Sequence, residues 1–259
     1  MKIDRRVHLV GGGAFGVSHF SDANIYAINC GRSSVLIDAG CGIATEVLAE
    51  NVEADGLPPL SHILLTHSHW DHARGLGTLK KLTGARGAGH RACDAELSTA
   101  MWSETYAVRN GAEPVEPTSL DLYLEDGEAL DLGPVSITTV ATPGHTGDSL
   151  SFILEDKEQG TRALFTGDTV MGEATLGTCT ADTDFKGLRD SIQRLTELGV
   201  DTLFPGHHAF ALRGGRMQLR VLDELMHDHW GGVVGGYIPM LPTWWLQHDQ
   251  RQITGWALD

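Results

Sequence analysis

Leu64-Leu65-Thr66-His67-Ser68-His69-Trp70-Asp71-His72 is the stretch on which the reading of this chain turns. An apolar run ends at Thr66, and three imidazoles and a carboxylate follow at positions 67, 69, 71 and 72. Imidazole nitrogen and carboxylate oxygen are the donors zinc prefers, at about 2.0–2.2 Å. His67 and His69 lie two residues apart, so in an extended segment they point the same way. Asp71 and His72 then turn away from that pair. One short loop can therefore serve two neighbouring metal ions.

Two side chains cannot close a metal site, and the remaining donors appear further along. Thr142-Pro143-Gly144-His145-Thr146 ends a strand in a Pro-Gly turn with a histidine at its tip. Phe165-Thr166-Gly167-Asp168 repeats the device with a carboxylate, and Leu203-Phe204-Pro205-Gly206-His207 with a histidine. In each case apolar residues run into a glycine turn and then a ligand type. Donors at strand ends are held by the sheet, which makes a rigid site.

Short apolar, β-branched runs predict strands at 7–10, 25–29, 34–38, 62–66, 135–139, 150–154, 163–166 and 202–204. Helical spacing predicts helices over 44–51, 94–108, 185–198 and 217–230, with Asp184 as an N-cap for the third. The order does not alternate as in a doubly wound sheet or a βα barrel. It fits an α/β (α+β) fold: two mixed β-sheets packed face to face with helices outside, a four-layer αβ/βα sandwich. The whole chain, 1–259, reads as a single domain, with a core over 1–212 and a C-terminal helix and covering tail over 213–259. That tail carries Trp244, Trp245 and Trp256, and makes a homodimer contact a reasonable expectation.

Taken in order, H-x-H-x-D-H, G-H-T, G-D and P-G-H resemble the metallo-β-lactamase superfamily, over roughly four fifths of the chain. Leu36-Ile37-Asp38-Ala39-Gly40 resembles a further family element, whose Asp stands behind a ligand. The resemblance implies that His67, His69 and His145 bind a first metal, that Asp71, His72 and His207 bind a second, and that Asp168 bridges both. It implies a shared hydroxide as nucleophile at neutral pH. The second metal, or Asp71 after a proton shift, would assist the leaving group. Two Zn²⁺ per chain are expected, with Fe or Mn as alternatives. Asp38, Thr146, Trp70 and His208 are expected around the ligands or on the pocket wall. The family often has G-H-T-x-G-S where this chain has Gly147 and Asp148; we read Asp148 as a solvated turn residue.

Within that family the residues narrow the chemistry. True β-lactamases generally lack the bridging Asp, which Asp168 supplies here. Flavin-coupled di-iron members usually carry Glu for the second motif histidine. Nucleases usually carry added nucleic-acid-binding parts, and a formal net charge of −15 repels phosphates. What remains is hydrolysis of a small acyl substrate: a thioester, a lactone or another ester, with an amide within reach of the same chemistry. A lactonase would want a pocket tyrosine, for which Tyr26, Tyr106, Tyr123 and Tyr237 are the candidates.

Two other readings compete. A mononuclear iron dioxygenase acting on sulfur would need only His67, His69, His145 and Asp168, leaving the second set unused. A dinucleotide-binding oxidoreductase could use Gly11-Gly12-Gly13-Ala14-Phe15-Gly16, which matches G-x-G-x-x-G. That motif must open a helix, and a polar segment over 17–24 followed by a strand pattern argues against it. The segment reads instead as a flexible hairpin loop, with Phe15, Ser18 and His19 as substrate contacts. No apolar run reaches the roughly 20 residues a bilayer span needs, and the charged start MKIDRRVHLV lacks a signal-peptide stretch, so a cytoplasmic protein that does not use membranes is expected. The four cysteines show no C-x-x-C and read as reduced, buried thiols.

Overall fold

The structure is a computed structural model that describes residues 1–100, 115–177 and 183–228. The predicted tail with Trp244, Trp245 and Trp256, the end of the predicted 94–108 helix, and Tyr106 and Tyr237 lie outside those residues.

Eleven strands form two sheets among the described residues. The first holds β1 (Val7–Gly11), β2 (Ile25–Asn29), β3 (Ser34–Ile37), β4 (Leu60–Leu64), β5 (Arg86–Gly89) and β6 (Leu122–Tyr123), in that spatial order. β1, β2 and β3 pair antiparallel, and β3 through β6 pair parallel. The second runs β11-β10-β9-β8-β7, from β7 (Ala129–Asp131), β8 (Val135–Ala141), β9 (Leu150–Asp156), β10 (Thr161–Gly167) and β11 (Thr202–Pro205). Only β10 and β11 pair parallel there. Both sheets are mixed, as predicted.

Strand alternation explains the layering. On β2, Tyr26 and Ile28 face one apolar cluster and Ile25 and Ala27 face another. The first cluster fills the space between the sheets, joining Tyr26, Ile37 and Leu64 to Phe152, Phe165 and Phe204. The other face of the first sheet packs on helices α1 (Thr45–Ala54), α3 (Leu76–Thr83) and α4 (Cys93–Thr99), through Leu48, Leu76, Leu79 and Leu97. The other face of the second sheet packs on α5 (Phe185–Glu197) and α6 (Gly215–Asp228), through Leu188, Ile192, Leu195 and Leu222. Sheets buried on both faces need near-continuous apolar strands, which is how β2 and β9 read. Asp184 caps α5 by accepting from the Lys186 amide, and Leu188, Ile192 and Leu195 recur at helical spacing.

The strands and helices lie where predicted to within a few residues, except that α4 ends at Thr99, closed by Ala100 in the left-handed conformation, where a helix over 94–108 was expected; β5, β6, β7, α3 and the short α2 (Trp70–Ala73) are added. β5 reads Arg-Gly-Ala-Gly, which carries no strand signal. It is a strand because β4 offers it an edge and its small residues let α3 approach: a Cβ on Gly87 would sit 3.0 Å from Leu76.

Candidate metal centre

The strand directions bring one set of loops together. β8, β10 and β11 run the same way in the second sheet, and β3 and β4 run parallel in the first. Asp38 follows β3; His67, His69, Asp71 and His72 follow β4; His145 follows β8, Asp168 follows β10, and His207 follows β11. Two groups of donors result. His67, His69, His145 and Asp168 form one, and Asp71, His72 and His207 the other, each with its donor atoms within 4.8 Å of one another.

The contacts are close. His69 Nδ1 faces both His67 Nε2, at 3.0 Å, and His145 Nε2, at 2.9 Å. His72 Nε2 lies 3.3 Å from His207 Nε2. Asp168 stands between the groups, with Oδ1 3.3 Å from His72 Nε2 and Oδ2 3.6 Å from His145 Nε2 and 3.4 Å from His207 Nε2. Asp71 Oδ2 is 3.1 Å from His207 Nε2.

On three of the rings the outer nitrogen is occupied, which sets the inner one. His145 Nδ1 lies 2.6 Å from the Gly177 carbonyl, an acceptor, so it carries the proton and Nε2 turns a lone pair inward. His72 Nδ1 donates to Asp38 Oδ2 at 2.8 Å, and His67 Nδ1 meets the Thr66 hydroxyl at 3.0 Å. Asp38 is itself fixed by the Thr66 amide, 2.7 Å, and hydroxyl, 2.9 Å. It is buried, with φ at 67°, a conformation Asp tolerates better than most residues. Partners of this kind orient metal-binding imidazoles.

The two groups differ in charge. Burial drives His67 well below its ordinary pKa and His69 down to about 4, so both rings are neutral. Burial also opposes protonation of His72 and His207, but carboxylates outweigh it. Asp168, Asp38 and Asp71 hold His72 well above its usual value, and Asp168 and Asp71 raise His207 to about 10. Asp168 stays ionised well below the usual carboxylate range against the cost of burial, because His207 and His72 face it. Asp71 is lowered in the same way by His72 and His207.

These residues fit metal ions. Four ligands at zinc distances stand roughly 3.3 Å apart along the edges of a tetrahedron, and the inward nitrogens and oxygens are spaced at 2.9–3.6 Å. Asp168 Oδ1 is buried and accepts no hydrogen bond, an orphan that a cation would satisfy. The glycine before His207 is required by space: a Cβ on Gly206 would lie 2.4 Å from Asp168 Oδ1 and 2.6 Å from His72 Cε1. Gly144, before His145, has φ 145° and abuts the backbone of Leu188 in α5.

Beside His207 opens a cavity of about 420 Å³ lined by Gly13, Ala14, Phe20, Asp22, Asn24 and Trp70 among others. Trp70 both walls this cavity and packs on the outer core of the first sheet. The loop over 12–24 joins β1 to its antiparallel neighbour β2, the hairpin connection expected, but it is internally braced. Gly12 N donates to Ser18 Oγ, Ser18 Oγ to Asp22, and Gly13 N to the Asp22 carbonyl, so the loop is pinned across its neck. Ser18 is spent on that pinning, His19 Nδ1 accepts from Ser21 N, and Phe15 faces Phe210; Phe20 is the aromatic residue this loop turns to the cavity. The dinucleotide reading fails here, because Gly13–Phe15 is a single 3₁₀ turn and β1 pairs antiparallel with β2.

Asp148 also differs from its expectation as a solvated turn residue: it is buried and accepts from Cys93 Sγ at 3.1 Å. Thr146 bonds to Ser149 within its own turn. His208 sits at φ 65°, directly after the ligand-type His207. Tyr26 is buried with its hydroxyl on the Pro205 carbonyl, and Tyr123 donates to Asp94; neither lines the cavity. Among the described residues no helix is long and apolar enough to cross a membrane.

Residues 20–207 match the family model described as the metallo-beta-lactamase superfamily. The atrochrysone carboxyl ACP thioesterase of Aspergillus fumigatus is 30% identical over 222 residues, 85% of this chain and 60% of that protein. The lactamase-like protein adaB of Aspergillus niger is 30% identical over 76% of this chain and 53% of its own length. The beta-lactamase-like protein 2 homolog of Caenorhabditis elegans is 28% identical over 71% and 55%. The chain thus spans little more than half the length of these curated relatives. Among solved structures, a metallo-beta-lactamase motif mutant from Cronobacter sakazakii superposes with a TM-score of 0.69 at 20% identity, over 89% of this chain and 96% of that one. The Rm3 metallo-beta-lactamase gives 0.65 at 19%, over 88% and 94%. At such identities the likeness concerns the fold alone.

Proposed function

Because the chain belongs to the metallo-beta-lactamase superfamily, we propose that it is a metal-dependent hydrolase of small acyl thioesters. The observation that carries the proposal is the convergence of His67, His69, His145 and Asp168 on one point and of Asp71, His72 and His207 on the next. Each group would hold one ion, with Asp168 facing both. When bound, such ions acidify water and polarise a carbonyl, which is what acyl transfer to water requires. The donors are nitrogen and oxygen without cysteine, which suits zinc and also admits iron or manganese. The completeness of the second group supports two ions over the mononuclear iron dioxygenase.

The chain's own residues prepare that chemistry. Asp38 and the Gly177 carbonyl fix the rings of His72 and His145. Asp71 and Asp168 remain ionised, so each can attract a cation or accept a proton. The pinned loop over 12–24 and Trp70 wall the cavity beside His207, which is large enough for a small acyl group. A thioester is favoured over a lactone because a curated relative is named as a thioesterase and no described tyrosine lines the cavity. We assign this chemistry to the core over 1–212.

The test is metal content by plasma mass spectrometry on protein purified without chelators, with thiol release from acyl thioesters followed beside a lactone and a chromogenic β-lactam. About two zinc per chain and chelator-sensitive thiol release are expected. No metal and no uptake on adding it would overturn the reading. Turnover of the lactone alone would replace the substrate class and keep the site.

A further inference from the structure

His207 is the least buried side chain of its group: 30% exposed, against 19% for Asp71 and none for His72. Its ring meets Asp71, His72 and Asp168, and its backbone is held as well. Four successive carbonyls, from Pro205 to His208, are all taken by hydrogen bonds from other elements. The Pro205 carbonyl accepts from Tyr26 Oη at 2.9 Å and Asn24 Nδ2 at 3.1 Å. The Gly206 carbonyl accepts from the Asn24 amide at 2.7 Å, and that of His207 from the Gly172 amide at 3.1 Å. The His208 carbonyl accepts from Asn24 Nδ2 at 2.9 Å. Asn24 makes three of these five bonds and is only 2% exposed.

We infer that Asn24 is the positioning residue for His207, on which the second metal site depends. The inference rests on the two-site reading above. An amide nitrogen carries two donors on one atom, so a single side chain can bridge the carbonyls on either side of Gly206 and His207. Asp matches the size of Asn but offers no donor, and would set an anionic oxygen against both carbonyls. The turn needs such a clamp because His208 is held at φ 65°, a conformation that persists only where its surroundings enforce it. Asn24 stands in the first sheet's leading loop and His207 in the second sheet's last turn, and the neighbouring Ala23 amide donates to the Asp71 carbonyl at 3.3 Å, so the same segment ties Asp71 to its partner ligand. His67, His69 and His145 receive no bond from Asn24.

The test uses the full chain, stripped with chelator and retitrated with zinc against a chromophoric competitor, and with cobalt(II) followed by its visible absorption. The parent should take up two equivalents. Asn24→Ala should bind the second at least tenfold more weakly and the first within twofold of the parent. Tyr26→Phe, which leaves Asn24 on the same carbonyl, should change the second less than threefold. If Asn24→Ala does not fold, Asn24→Asp, which keeps volume and the backbone bond, carries the same expectation. A second equivalent bound as in the parent, or both weakened alike, overturns the inference. A parent that binds fewer than two equivalents overturns the two-site reading instead, whatever the variants do.

Discussion

Replacing Asp38 by Asn tests how much of the second site is built behind its ligands. The substitution keeps the volume, and Asn accepts φ 67° as readily as Asp, so the backbone is not strained. What changes is the donor count. Oδ1 of Asp38 accepts from the Thr66 amide at 2.7 Å, which an Asn oxygen would retain. Oδ2 accepts from His72 Nδ1 at 2.8 Å and from the Thr66 hydroxyl at 2.9 Å, and there the variant presents an NH₂. Two donors cannot face each other, so when the ring gives up a proton to bind a cation it must keep the one on Nε2, the atom directed at Asp168 and His207. The lone pair needed by a metal is then lost from the site. Partners of this kind are worth roughly 10–100-fold in metal affinity, about 1.4–2.8 kcal/mol. Titration of stripped protein with zinc against a competing chelator should show that loss in the second equivalent alone. An unchanged second equivalent, or equal weakening of both, would refute the argument that Asp38 acts through the tautomer of His72.

Other outcomes follow from the same geometry. Gly206→Ala, whose Cβ would lie 2.4 Å from Asp168 Oδ1, should retain the fold by circular dichroism and lose most of the second metal by mass spectrometry. Asp168→Ala removes the one carboxylate among the described residues that faces both groups; it should reduce bound metal and abolish nearly all hydrolysis, and full metal content in that variant would contradict the two-site scheme. Thr146→Ala removes a hydroxyl that pairs with Ser149 in its own turn and should leave metal content unchanged. On acidification the site around His72 and His207 should empty first. Both rings have raised pKa values in the metal-free chain, His207 to about 10, so each holds its proton more firmly than an ordinary imidazole and must release it to bind a cation. His67 and His69 are lowered, His69 to about 4, and meet no such competition until the pH falls near that value. Zinc release measured stepwise from pH 8 to 5 checks the order.

Much of this arrangement was legible in the chain itself because ligand chemistry and strand ends coincide. His67 to His72, His145, Asp168 and His207 each follow an apolar run, and each of the last three follows a glycine that the structure shows to be sterically obliged or conformationally special. The layers were legible because β2 and β9 are apolar on both faces. What escaped was whatever depends on contact between distant segments. Arg86–Gly89 has no strand propensity and becomes a strand only beside β4. Asp148 looked like a solvated turn until Cys93, distant in sequence, was placed against it. Asn24 gave no local sign of its task, since its bonds reach across more than 180 positions. Leu76–Thr83 did carry a signal: Gly84 in the left-handed conformation ends it, a helix stop readable from sequence.

The donors come from both sheets, the first contributing His67 to His72 and the second His145, Asp168 and His207. An ion held between them is therefore a clasp across the open end of the sandwich as well as a reagent. Its grip adds to folding in proportion to the logarithm of free metal, about 2.7 kcal/mol at a hundred times the dissociation constant. On the proposed reading, a cell short of the metal would lose this protein twice, first as activity and then as molecules, because chains without the clasp would open sooner to proteases.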